Sequence, residues 1–444
     1  MTLAPARSWT PAAPVVVAFP GVLPAWPVTA LLLLYPMWWA LGMGVLVFPL
    51  TAAVMARHLW GRRHAVALPP GFGLWLLFLT VAVVSVAALG ADPAGTVPGT
   101  AGSRLVGVLY RLTMYASLTV LLVYLGNVRM AQRKLVGLLA WLFVVTVAGG
   151  LLGTFAGDFA FTSPVELMLP AHIRSTGFVQ SLVHPSAAQV MDLLGDAKPR
   201  PAAPWGYTNT WGNNVCLLVG WFVVAFGLRR PLWTIVGLAL ATVPVVYSLN
   251  RGLWIGLGVI AVYIAVRLAA RGRLAALSGI AVATVLVGVA LAVTPLGDVV
   301  QQRLDAGRSN GVRLYLTEQA VAGLHESPLI GFGSTRNTQG GRNSITVGES
   351  ADCARCGNFT VGGNGQFWQL LFAHGLLGTA AYLGFFAYGL RRFRRDVSPV
   401  GLVGSAAIVS TFASMFWYNA LVTPLAFTFC AYALLWRNER VSSP

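Results

Sequence analysis

Residues 231–268 read PLWTIVGLALATVPVVYSLNRGLWIGLGVIAVYIAVRL, two strongly apolar runs separated by Ser248-Leu249-Asn250-Arg251-Gly252. Each run has the length of a membrane crossing, for which about 17–25 mostly apolar residues are needed. The connection is too short for a solvated loop. Arg251 therefore stands near a membrane boundary, at the start of a helix.

The pattern repeats from end to end. Apolar runs lie near 20–40, 42–58, 71–90, 104–125, 134–156, 211–228, 231–249, 252–268, 273–294, 364–390, 399–418 and 421–436, about twelve in all. The first two form a hairpin broken around Tyr35-Pro36 and Gly42–Gly44. Of the 444 residues 57% are hydrophobic and only 10% charged, where a soluble chain carries about 25% charged residues. One soluble core cannot use so much apolar sequence; a bilayer can. The fold class is thus all-α, a polytopic membrane protein of about twelve helices. Residues 1–19 read as a short tail without a cleavable leader. Residues 20–294 hold nine spans with an outer loop near 157–210. A large loop follows at 295–363, then three spans at 364–436 and a tail at 437–444.

The net charge of +17 would suggest nucleic acid in a soluble protein. Its distribution says otherwise. Short basic connections occur at Arg57–His64, Arg129–Lys134, Arg229-Arg230, Arg267–Arg273, Arg391–Arg395 and Arg437–Arg440. Together with Arg7 they hold 18 of the 30 Lys and Arg, but only Asp396 and Glu439 of the 13 acids, an excess of +16 against +1 for the remainder. The positive-inside rule makes this set cytoplasmic. Both termini then fall inside, and the partner implied by the charge is the lipid bilayer rather than nucleic acid.

Almost no acid lies within a span, which argues against a proton-coupled pump. Arginines instead cluster on the outer side, at Arg104, Arg174, Arg251, Arg303, Arg308, Arg313, Arg336, Arg342 and Arg355, with Arg111 a little deeper. Arg251 offers a planar, permanently charged fork suited to phosphate oxygens, and a helix N-terminus adds attraction for anions. The competing reading is an arginine that snorkels and anchors the helix. Arg313 opens a helical stretch, Gly311–His325, and precedes the turn Ser327-Pro328-Leu329-Ile330-Gly331-Phe332-Gly333; a solvated surface charge is the alternative there. Asn364, Gln366 and Gln369 stand at the start of a span, where amides bind sugar hydroxyls or where Asn364 caps the helix. Asn213 and Asn214 follow Tyr207-Thr208-Asn209-Thr210-Trp211-Gly212, an aromatic–amide mixture suited to carbohydrate or to an interfacial belt.

Lys198–Pro204 (KPRPAAP) reads as a rigid linker. Cys353-Ala354-Arg355-Cys356 favours a local disulfide over a zinc site. His172, His184 and His325 read as structural, and His374 as a packed or hydrogen-bonded residue within a span. No nucleotide loop, Ser-His-Asp grouping or carboxylate metal cluster is evident, so no cofactor or metal is expected.

At these residues the chain resembles the O-antigen ligase and O-antigen polymerase superfamily, in a form like those of high-GC Gram-positive bacteria. Three stretches carry the likeness: Ser248-Leu249-Asn250-Arg251-Gly252-Leu253-Trp254; Arg313 with Ser327–Gly333; and Gln366–Gly378, which ends in Gly-Leu-Leu-Gly. The resemblance implies a GT-C-like membrane glycosyltransferase without a metal. Such an enzyme moves a glycan from undecaprenyl pyrophosphate to an acceptor hydroxyl on a glycan, lipid or protein, at the outer face of the cytoplasmic membrane. Arg251 and Arg313 would hold the pyrophosphate, with Arg174 or Arg336 assisting; Asn213, Asn214, Asn250, Trp254, Gln366 and Gln369 would contact substrate. One departure stands out. Asn364 occupies the position of a family histidine, and an amide is not a general base at neutral pH. Glu318, Glu326 and Asp305 are possible substitutes. The alternative functions are a transporter or flippase, which broken mid-membrane helices would favour but the sequence does not display, and a non-catalytic relative.

Overall fold

A computed structural model gives the fold and describes residues 21–175, 177–192, 197–227, 229–272, 278, 308–338 and 359–442. The order of helices is α1 Trp26–Leu33, α2 Tyr35–Ala40, α3 Val47–Gly61, α4 Phe72–Val84, α5 Ala101–Asn127, α6 Gln132–Phe155, α7 Pro164–Met168, α8 Ala171–Arg174, α9 Gly177–Val183, α10 Thr208–Phe226, α11 Pro231–Tyr247, α12 Arg251–Ala269, α13 Arg308–Glu326, α14 Gln366–Arg392, α15 Pro399–Ser414 and α16 Thr423–Ser442. Between α9 and α10 lies a two-stranded ribbon, β1 Ala188–Asp192 and β2 Ala197–Pro201. The chain is predominantly helical. Helices occupy every expected apolar stretch except 273–294, which, save for position 278, lies outside the described residues, as do Arg303, Asp305, Arg342, Arg355, Cys353 and Cys356.

Helix starts follow the local chemistry. Proline opens α2, α7, α11 and α15, where its missing N–H removes nothing. Thr100 caps α5 and Ser398 caps α15, each accepting from the backbone amide three residues on. Among the described residues α5, α6, α12 and α14 are long and apolar enough to cross a membrane, while Phe72–Ala88, α11 and α15 are apolar but shorter. Large apolar side chains stand exposed on outward faces, such as Leu232, Trp233 and Ile235 of α11 and Ile255, Val262 and Val266 of α12. So much exposed apolar surface suits lipid rather than water.

The last helix runs through the middle. From Leu425 to Leu435 every residue of α16 is buried, as expected for a helix that is apolar on all sides. It packs on α5, α10 and α15. Beside it Trp75 sits among Phe78, Tyr115, Tyr382, Phe385, Phe386 and Phe429 and donates its indole N–H to Thr119. The basic turns gather at one end of this bundle: Arg437 donates to the carbonyls of Leu125 and Val128, Arg440 to Gly126, and Arg267 to Arg394 and Asp396. At the other end α12, α14 and α16 begin. The 19 residues of α12 separate the two ends by about 28 Å.

Two expectations are corrected. The chain does contain a broken helix: Gly375 interrupts α14 with φ 59° and ψ −164°. The turn after α13 fills the break. Phe332 and Gly333 donate to the carbonyls of Phe372 and Ala373, and Leu376 and Leu377 donate to Pro328 and Leu329. Backbone groups freed at the kink thus find partners without water, the condition for irregular backbone inside a membrane protein. A Cβ on Gly375 would lie 2.4 Å from the Leu329 carbonyl carbon, so the apposition requires glycine. The second correction concerns Lys198–Pro204. Its first half is strand rather than linker, with Pro199 opposite Val190 and Pro201 opposite Ala188. Prolines are tolerated because a two-stranded ribbon has only edges, where an N–H need not join a ladder.

Candidate functional site

The turn Ser248–Gly252 is tightly held. Leu249 has φ +50°, a conformation that costs a bulky residue about 1–3 kcal/mol and persists only where the surroundings impose it. Those surroundings come from three distant segments. Arg200 of β2 donates to the Ser248 carbonyl at 2.6 Å. Asn250 donates to the Thr208 carbonyl at 3.2 Å. Tyr418, between α15 and α16, donates its hydroxyl to Asn250 Oδ1. A Cβ on Gly252 would approach Trp417 within 2.4 Å and the Tyr418 hydroxyl within 2.6 Å. These contacts fix Arg251, half-buried as the first residue of α12.

Arg313 arrives from α13, and Asn364 holds that helix in place. The Asn364 amide donates to the Arg313 carbonyl at 3.3 Å and to Thr317 Oγ1 at 3.0 Å. Asn364 therefore does not cap α14, whose N-cap is Gly365 and receives no side-chain bond. Its Oδ1 is buried with no hydrogen-bond partner. Gln366 is wholly buried. It accepts from the Ala420 amide at 3.0 Å, donates to the Tyr115 hydroxyl at 3.4 Å, and its own backbone N–H meets the Tyr418 carbonyl. Thus Asn250–Arg251, Arg313, Asn364, Gln366 and Thr208 converge on one end of the bundle.

The electrostatics follow from this convergence. Burial pushes the pKa of Arg313 down, and the positive charge of Arg251 pushes it down further, while the Tyr418 hydroxyl acts the other way. Arginine remains charged under such shifts. Two like charges from separate elements are therefore held near one another at the edge of an apolar bundle, an arrangement that favours a multiply charged anion between them.

Other candidates lie elsewhere. Arg336 is 3% exposed and donates to the carbonyls of Phe332, Ser334, Thr335, Ala88, Leu89 and Ala91. It ties the loop after α13 to the segment that follows α4. Burial, reinforced by Arg104 and Arg111 against the opposing Asp92, brings its pKa to about 10. Arg111 reaches Thr335 at 2.9 Å, and its Nη1 is buried without a partner. Arg174 closes α8, and no hydrogen bond or ion pair joins it to the cluster among the described residues. Trp254 donates across the turn to Val245. Asn213 and Asn214 are buried on α10; Asn214 donates to Thr423 at 2.8 Å, and both Oδ1 atoms lack a partner. Gln369 packs against Gly362. Glu318 is exposed, and Glu326 accepts from the Ala94 amide. His374 bonds Ser85 at 3.1 Å, in line with its reading as a packed residue.

Sequence reasoning did not single out Tyr418, Arg200 or Tyr115. Tyr418 reads as one more interfacial aromatic, and Arg200 is hidden in a proline tract. A signal existed for Tyr418: it is a hydroxyl in the short connection between the last two apolar runs. No known family model matches the chain, and no curated protein matches it.

Proposed function

We propose that the chain is a membrane glycosyltransferase of the O-antigen ligase or polymerase kind, with a GT-C-like fold of about twelve spans in the cytoplasmic membrane. Both termini and the basic turns lie inside, and the Arg251–Arg313 end faces out. The observation that carries this reading is the Arg251–Arg313 pair, two guanidinium groups from distant segments brought near each other at the end of the bundle opposite the basic turns.

The reaction follows from the charge. An undecaprenyl-pyrophosphate-linked glycan lays its lipid against the apolar faces and its pyrophosphate between Arg251 and Arg313. An acceptor hydroxyl oxygen bonds to the anomeric carbon, the bond from that carbon to the pyrophosphate oxygen breaks, and the departing pyrophosphate takes the electron pair. Fixed donors at a low-dielectric boundary stabilise this developing charge, and losing one such donor typically costs 10²–10³-fold in rate, to order of magnitude. Asn364 acts by seating α13, and Gln366 by fixing the Tyr418 segment.

The break in α14 favours a second reading, a transporter or flippase, because discontinuous helices line substrate paths in such proteins. Residues 328–333 fill this break, which weighs toward the transferase. Purified protein in lipid nanodiscs, given undecaprenyl-pyrophosphate-linked oligosaccharide, separates the readings. Release of undecaprenyl pyrophosphate with chain growth identifies a polymerase, and transfer to another acceptor a ligase. Movement of the intact donor across proteoliposomes without release would replace the transferase by a flippase. Because the cations are side chains, release is expected to continue unchanged in excess chelator.

A further inference from the structure

In the transferase reading Asn364 cannot take the proton of the acceptor hydroxyl. A second polar site stands at the same end of the bundle. His184 follows α9, and its Nδ1 lies 2.8 Å from Glu166 Oε2 of α7. Glu166 is 5% exposed. Both members are tied to one residue, Ser163. Its Oγ accepts from the Glu166 amide at 3.1 Å and donates to the carbonyl of Val183, beside His184, at 2.6 Å, and its own amide reaches Glu166 Oε2 at 3.4 Å. Gly42 makes room for this arrangement. With φ +79°, its Cβ would fall 2.1 Å from Ser163 Oγ and 2.6 Å from the Val183 carbonyl oxygen.

His184 borders a cavity of about 100 Å³ whose walls include Tyr35, Trp39, Trp205 and Tyr207. The volume suits a single polar group and the edge of a ring. Two of the three segments that hold the Arg251 turn also contribute to the walls of this cavity. Tyr207 and Thr210 line the cavity, while the carbonyl of Thr208 accepts from Asn250. Leu421, Val422 and Thr423 line it as well, three to five residues beyond Tyr418. Aromatic faces beside a hydrogen-bond acceptor are the surroundings a sugar ring uses. With Nδ1–H directed at a carboxylate, the imidazole presents Nε2 as an acceptor, its tautomer fixed by its neighbour.

We propose that this cavity receives the acceptor sugar, with His184 as the catalytic base and Glu166 as the residue that positions it. The inference rests on the transferase reading. The acceptor O–H proton passes to His184 Nε2 as the acceptor oxygen bonds to the anomeric carbon. The pyrophosphate leaves with the electron pair of the broken C–O bond, and His184 returns the proton to water. Ionisable groups facing His184 are Glu166 from α7 and, across the cavity, Tyr35 of α2, Tyr110 of α5 and Tyr207 before α10. A base that must be deprotonated to act gives release an acid limb.

The test uses the full chain in membrane vesicles from cells that make it, so that the natural acceptor is present, with labelled undecaprenyl-pyrophosphate-linked oligosaccharide as donor. Release of undecaprenyl pyrophosphate is followed from about pH 5 to 9. His184→Gln is expected to slow release by about 10²-fold or more and to abolish the acid limb. Glu166→Gln, which keeps an acceptor for Nδ1–H but removes the charge that favours imidazolium, is expected to move that limb to lower pH. A His184→Gln protein with the wild-type rate and pH profile, beside an inactive Arg313→Ala protein, would overturn the base and leave the transferase reading standing. Absence of release by the wild-type protein would overturn both.

Discussion

Arg251 and Arg313 occupy unlike positions, one opening α12 and the other within α13, and the fold makes them neighbours. What brings them together is mostly uncharged: Asn250, Tyr418, Asn364 and Gln366. The charged residues were legible in the sequence, because an arginine between two apolar runs has few places to go. The uncharged ones were only partly so. Asn364 read either as a sugar-binding amide or as a helix cap; Gly365 takes the cap position, and the Asn364 amide reaches across to α13. Tyr418 carried only its place in the short connection between the last two apolar runs. Arg313→Lys keeps the charge but loses the planar fork, and is expected to retain only a few per cent of wild-type release. Tyr418→Phe removes the bond to Asn250 and is expected to lower release about tenfold without changing the amount of folded protein, as judged by size-exclusion chromatography.

At the scale of elements, the joint between α14 and the turn after α13 is the feature least visible beforehand. Both stretches stood out as motifs, Ser327–Gly333 and Gln366–Gly378. Their docking did not, because Gly375 lies in an uninterrupted apolar run and a glycine there is compatible with an intact helix. The proline tract at 198–204 misled for the opposite reason: its composition speaks of a linker, whereas pairing with Ala188–Asp192 is a tertiary choice. Gly375→Ala forces a Cβ against Leu329 and keeps a positive φ. It is expected to cost about 1–3 kcal/mol or more, seen as a lowered Tm in detergent. In the loop between α4 and α5, Arg104 pairs with Asp92 and holds its carboxyl below the usual carboxylate range. A group so shifted contributes stability above its unfolded pKa of about 3.9 and loses it as pH falls through the folded value. The wild-type advantage over Asp92→Asn in Tm is therefore expected to be present at neutral pH and to vanish below that range.

The whole molecule was the most legible level. Hydropathy alone marked the helical stretches, since every span must satisfy its backbone internally and so announces itself by length and composition. Charge placed the basic turns together, and the structure brings several of them to one end. The proposed orientation, basic turns inside, rests on the positive-inside rule. In a chain freed of its four native cysteines, Arg271→Cys and Arg394→Cys are expected to resist a membrane-impermeant maleimide on intact cells, while Asp92→Cys and Ala171→Cys are labelled. Labelling of Arg271→Cys would invert the topology. The central claim is the joint action of the two arginines, and the most direct measurement is release of undecaprenyl pyrophosphate by purified wild-type, Arg251→Ala, Arg313→Ala and doubly substituted proteins in nanodiscs. The wild-type protein is expected to release product, each single substitution to slow release by about 10²-fold or more, and the double substitution to be little worse than either, since the pair acts as a unit. Wild-type rates in either well-folded single variant would contradict that claim.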